Sequence, residues 1–70
     1  MFTTAIVKDK GVNFYFASSD GERFYEFTGI PTEKEFNELQ TKQTKSRTKR
    51  LSMTRGFLAR FENVRFTEHN

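Results

Sequence analysis

Asp9-Lys10-Gly11-Val12-Asn13-Phe14-Tyr15-Phe16-Ala17-Ser18-Ser19-Asp20-Gly21 is the stretch that decides the fold. It reads as one strand held between two turns. Asp9-Lys10-Gly11 is the first turn signal. Ser18-Ser19-Asp20-Gly21 is the second, and its Asp-Gly pair favours the positive φ angles that a tight hairpin needs. Between them, Val12 to Ala17 carries three consecutive rings, Phe14, Tyr15 and Phe16, which suits a pleated strand. Upstream, Phe2 to Lys8 holds the β-branched Thr3, Thr4, Ile6 and Val7 and predicts a first strand. Downstream, Glu22 to Thr28 predicts a third. The three strands form a meander.

Gly29-Ile30-Pro31 ends this run. Thr32 is placed to cap a helix, and Glu35 three residues later completes a Thr-x-x-Glu capping box. Glu33, Glu35 and Glu38 fall early in that helix and Lys42 and Lys45 late, in keeping with the helix dipole. Phe36, Leu39 and Gln43 mark a thin inner face. Residues 41–50 are basic and contain no apolar side chain, so they read as a loop, a frayed helix end or a flexible arm. Leu51 and Met53 alternate with polar neighbours and predict a fourth strand. Arg55-Gly56 then turns the chain into a fifth, Phe57 to Phe66, with a parity change near Glu62-Asn63 that predicts a bulge. The order βββαββ predicts a mainly β chain: a single domain over residues 1–70, a five-stranded OB-fold-like small barrel with one short helix between strands three and four.

Composition narrows the function. Seventy residues hold one small core. With no cysteine there is no disulfide and no thiolate zinc site, and a lone histidine, His69, builds neither a metal site nor a triad. The four glycines are isolated turn residues, not a phosphate loop. The carboxylates sit in helix or turn contexts. The expectation is therefore a non-enzyme without cofactor or metal. No apolar run is long enough for a membrane span, and the N-terminus lacks an apolar leader, which predicts a cytoplasmic protein. The net charge of +3 hides a division: Gln40 to Arg65 holds eight cationic residues against Glu62 alone, while the remainder is acidic. Such an imbalance points to an anionic partner for one face.

Rings interleaved with cations suggest single-stranded nucleic acid, because rings stack on bases while cations follow phosphates. Phe14 and Phe16 share one face of their strand, and Phe24 differs in parity from Tyr25 and Phe27. Lys8, Lys10, Arg23 and the cations of residues 42–60 could flank them. The same rings could equally fill the core. Alternation alone turns Val12, Phe14 and Phe16 inward.

Lys10-Gly11-Val12-Asn13-Phe14-Tyr15 resembles the Lys-Gly-aromatic-Gly-Phe-Ile stretch of cold-shock domains. Asp20-Gly21, followed by Phe24-Tyr25-Glu26-Phe27-Thr28-Gly29-Ile30, is similar to their Asp-Gly turn and Phe-Val-His-Phe-Ser-Ala-Ile stretch. Val7-Lys8 and Asn63-Val64-Arg65 resemble segments of their first and last strands. The resemblance implies an OB-fold barrel that binds single-stranded RNA or DNA with low sequence specificity. Phe14, Phe24 and Phe27 would stack bases and Lys10 would contact the backbone. Phe14 and Phe16 would face outward, with Tyr15 and Ala17 inside. The sequence departs from the family in lacking its first-strand Trp, in Val12 where a ring belongs, and in Glu26 where the family has His. The expected binding set is Lys8, Lys10, Phe14, Phe16, Phe24, Phe27, Arg47, Lys49, Arg50, Arg55 and Arg60. A second expectation is a small phage- or mobile-element-encoded modulator that binds a host protein through its acidic helix and basic arm.

Overall fold

A computed structural model describes residues 2–42 and 48–69, with side chains described for residues 2–38 and 52–69. The elements in chain order are β1 (Phe2–Asp9), β2 (Val12–Ser18), β3 (Arg23–Phe27), α1 (Glu33–Lys42), β4 (Thr48–Thr54), α2 (Arg55–Leu58) and β5 (Val64–His69). All strands join one antiparallel sheet in the order β4-β3-β2-β1-β5. Among the described residues no ladder joins β4 to β5. The sheet is therefore open, not closed into a barrel, and those two strands are its edges.

The turns form where the sequence places them. Lys10 (φ 54°) and Gly11 (φ 80°) are the two central residues of the first hairpin, both in the left-handed region that a two-residue turn of this hand requires. This turn fixes the register Asp9↔Val12, Lys8↔Asn13, Ile6↔Tyr15. In the second turn the Asp20 carboxylate accepts from the Glu22 and Arg23 amides at 2.8 and 3.0 Å and from the Ser18 hydroxyl at 2.8 Å. The Ser18 Oγ accepts in turn from the Gly21 amide at 2.9 Å. The amides of Arg23 and Glu22 stabilise the charged form and hold the Asp20 pKa down at about 2. At the head of α1 the capping box closes as expected: the Glu35 amide donates to Thr32 Oγ1 at 3.1 Å, and the Thr32 amide to Glu35 Oε1 at 3.0 Å.

Each face of the sheet carries its own core. On the α2 side, Ala5, Val7, Phe16, Phe24 and Leu58 are buried, with Phe14, Met53, Phe61, Val64 and Phe66 packed against them. On the α1 side, Phe36 descends from the helix onto Phe2 and Phe27, ring centroids 5.6 and 5.8 Å away, with Ala17 buried beside them. Apolar side chains of both parities are thus buried in β2, since each has a helix to meet.

One element differs from the expected fifth strand. Phe57, Ala59 and Phe61 alternate, but residues 55–58 form a helical turn and the strand begins only at Val64. Thr54 caps that turn by accepting from the Phe57 amide at 3.2 Å, and Leu58 is fully buried against the sheet. The expected bulge at Glu62-Asn63 is the turn that leads into β5. Of residues 41–50, Thr41 and Lys42 end α1 and Thr48 to Arg50 begin β4; the segment between lies outside the described residues.

Candidate nucleic-acid interface

The expected ring platform is not on the surface. Phe16 is 4 %, Phe24 0 % and Phe27 2 % exposed, so all three rings belong to the cores. They also lie on opposite sides of the sheet: Phe16 and Phe24 on the α2 side, Phe27 on the α1 side. Phe14 is half-buried against the α2-side core. The inward reading of Phe14 and Phe16 holds, and the outward one implied by the cold-shock likeness is corrected. The reason is α2, whose Leu58 covers the face those rings share. Glu26 is buried on that same side and is not presented to a phosphate chain.

The expected cations separate. Lys8 and Lys10 are exposed at the β1–β2 hairpin. The Arg55 guanidinium lies 4.3 Å from the centroid of the Phe66 ring, and that of Arg60 6.0 Å from Phe57. Lys49 and Arg50 are carried by β4, while Arg47 and the side chains of Lys49 and Arg50 lie outside the described residues. Among the expected cations whose side chains are described, Lys8 and Lys10 adjoin a stretch of sheet that no described side chain covers.

That stretch is the hairpin end of the α1-side face. Phe36 covers the sheet over Phe2, Tyr25 and Phe27 and stops there. Beyond it, pairing places Arg65, Ile6 and Tyr15 in one row across β5, β1 and β2, with Lys8 and Asn13 in the next. Sheet spacings put the Lys8 and Arg65 backbones about 8 Å apart on a diagonal. A groove of about 380 Å³ opens here, lined by Ile6, Lys8, Asn13, Glu62 and Arg65. Tyr15 does not line the groove but pairs with Ile6 on the same face, half-buried, and among the described residues it has no ring partner. Among the same residues, neither Lys8 nor Arg65 is held in an ion pair. A ring free to stack, two uncommitted cations and an amide side chain are thereby brought to one surface, with Glu62 as the groove's carboxylate.

Tyr15, Asn13 and Arg65 were absent from the expected binding set. Asn13 and Tyr15 share a face with Lys8 and Ile6 because Lys10 and Gly11 are the two central turn residues, a detail the Asp9-Lys10-Gly11 signal alone did not fix. Arg65 gave no comparable signal, because its place depends on β5 returning beside β1.

No group of three metal-ligating side chains occurs among the described residues. No helix among them is long and apolar enough to cross a membrane. No family model, curated protein or solved structure matches this chain.

Proposed function

We propose that this protein binds single-stranded nucleic acid on the open half of its α1-side face, with one base stacked on Tyr15 and the flanking phosphates on Lys8 and Arg65. The observation that carries the reading is the Tyr15 ring, unpartnered among the described residues, in the same row as Arg65 and one row from Lys8, neither of which is in an ion pair among the described residues. Asn13 adds a donor and an acceptor at the base edge, and Lys10 a further cation at the hairpin tip. The likeness to cold-shock domains supports a sheet-surface mode of binding. The ring it uses here is the neighbour of those that the likeness singled out. An OB-fold-like arrangement is kept only in this sense, a β surface that offers a ring and cations to an unpaired strand. Stacking on one ring contributes roughly 1–3 kcal/mol, so binding is weak and sequence-tolerant.

Fluorescence anisotropy with a labelled oligonucleotide, as RNA and as DNA, tests this at about 50 and 200 mM salt. The expected result is affinity that falls with salt, with a log–log slope losing about 0.7 for each phosphate contact removed by Lys8→Glu or Arg65→Glu. Absence of binding at the lower salt, or binding indifferent to Tyr15→Ala, overturns the proposal.

A further inference from the structure

A second exposed surface lies on the other side of the sheet, and its features differ from those around Tyr15. Phe57 is 44 % exposed although α2 is firmly placed. Leu58 anchors that turn in the core, Thr54 caps it, and the Arg55 amide donates to the Glu22 carbonyl at 2.8 Å. Phe57 is therefore presented, not frayed. Phe61 meets it edge-on at 5.8 Å and 79°, and the Arg60 guanidinium lies over its ring. The three side chains line an open cleft of about 280 Å³. With its ring already engaged by a cation and a second ring, Phe57 forms the wall of a notch and not a bare stacking plate. The cleft is open and lined by Phe57, Arg60 and Phe61, an apolar seat with one cation at its rim that suits an apolar side chain flanked by a carboxylate.

The chain carries a matching knob. Ile30 is 48 % exposed in the loop before α1, and it is followed at once by the acidic first turn of that helix, where Glu33 is exposed. The notch belongs to the basic half of the sequence and the knob to the acidic half. We infer that a second copy of this chain is the occupant: Ile30 of one copy seats between Phe57 and Phe61 of the next, with Glu33 set against Arg60. Knob and notch are different patches, one in the loop before α1 and the other on α2, and the inferred contact is head-to-tail, with each added copy leaving one of each free.

Sedimentation velocity and concentration-dependent amide NMR of the full chain, without nucleic acid, test this between micromolar and roughly 1 mM protein. The expected result is reversible growth past a dimer, weakened by salt, with shifts at Ile30, Glu33, Phe57, Arg60 and Phe61. Ile30→Asp and Phe57→Asp, both at exposed positions, should each weaken association by about tenfold or more. Arg60→Glu and Glu33→Arg should each reduce self-association, and an equimolar mixture of the two should regain growth past a dimer as an alternating assembly, because both kinds of contact between the two variants again set opposite charges together. A chain that stays monomeric to the highest concentration overturns the inference. So does growth that stops at a symmetric dimer, growth indifferent to Ile30→Asp, or, in a separate titration, an oligonucleotide that saturates the Phe57 cleft in place of the second copy. Failure here leaves Tyr15 and its nucleic-acid reading untouched, since the two surfaces share no residue.

Discussion

The two faces of this sheet are covered to different extents. On the α2 side a helical turn of four residues, Arg55–Leu58, together with Phe61, closes a core that reaches from Phe14 on β2 to Phe66 on β5. On the α1 side a helix of ten residues, Glu33–Lys42, fixes Phe36 over one end of the sheet, and among the described residues no side chain covers the hairpin end. Coverage is thus decided by where the anchoring side chains land, not by helix length. Rings one residue apart in β2, Tyr15 and Phe16, consequently differ: Phe16 is buried in a core, whereas Tyr15 is half-buried with no ring partner among the described residues and is the ring the proposed binding uses.

The sharpest way to break this comparison is to remove one ring from each side. Phe24→Ala, in the α2-side core against Phe66 at 5.7 Å, should cost about 3–5 kcal/mol. A loss of that size approaches the whole stability of a small domain, and thermal or urea unfolding should find the variant largely unfolded. Tyr15→Ala should be much milder for the fold but should weaken oligonucleotide binding by about 1–3 kcal/mol, read by anisotropy. If Tyr15→Ala unfolds the chain, or leaves binding intact, the open half of the sheet is not the binding surface.

A third substitution sharpens the comparison from within β1. Thr3 points to the α2 side beside Ser18, and its Oγ1 is buried with no hydrogen-bond partner among the described residues. A buried, unpaired hydroxyl is costly. Thr3→Val keeps the shape and removes the orphaned group, so it should raise stability by about 1 kcal/mol in urea melts. The same exchange at Thr4, on the other side, should gain nothing, because its hydroxyl is 2.9 Å from His69 Nε2.

How much of this was legible in the sequence depended on distance along the chain. The Asp9–Gly11 turn, the Ser18–Gly21 turn and the Thr32–Glu35 box each close over three to four residues and lie where the sequence places them, although of the Asp20-Gly21 pair only Gly21 takes the positive φ expected of a tight hairpin and four residues separate β2 from β3. The β1–β2 register was not legible, because Asp9-Lys10-Gly11 marks a turn without fixing which two residues are central, and a slip of one residue exchanges the faces. What failed was everything requiring knowledge of which helix lies over which face. With Phe16 and Ala17 both buried, parity in β2 could not separate inside from outside. Phe57 and Phe61, four apart, fit one face of a strand and one face of a helical turn equally well; the Thr54 cap and the burial of Leu58 decide for the turn. Because α2 interrupts the expected fifth strand, the pairing that sets Arg65 beside Ile6 could not be derived from spacing alone.

Glu62 offers a finer probe of the open side. It lines the groove with Lys8 and Arg65, where its charge opposes an approaching phosphate. Glu62→Gln should strengthen oligonucleotide binding by about twofold at low salt, a gain that fades as salt screens it. An unchanged affinity would place the strand's path away from this rim of the groove.

The last and smallest effect belongs to the turn between β2 and β3, which serves neither face and so isolates local structure from packing. Asp20 holds its carboxylate on the Arg23 and Glu22 amides and has a pKa of about 2 against an ordinary 3.8. The unfolded chain takes up the proton first on acidification. The stabilisation is therefore fully present above pH 3.8 and is lost as the pH falls through that value toward about 2. Melting temperatures of the natural chain and of Asp20→Asn, compared from pH 5 down to pH 2, should converge in that window, with the natural chain higher at the upper end. Because the carboxylate is exposed to water and salt, the gap should be modest. A gap that persists unchanged at pH 2 would mean that the side chain acts through its hydrogen-bonding shape and not through its charge.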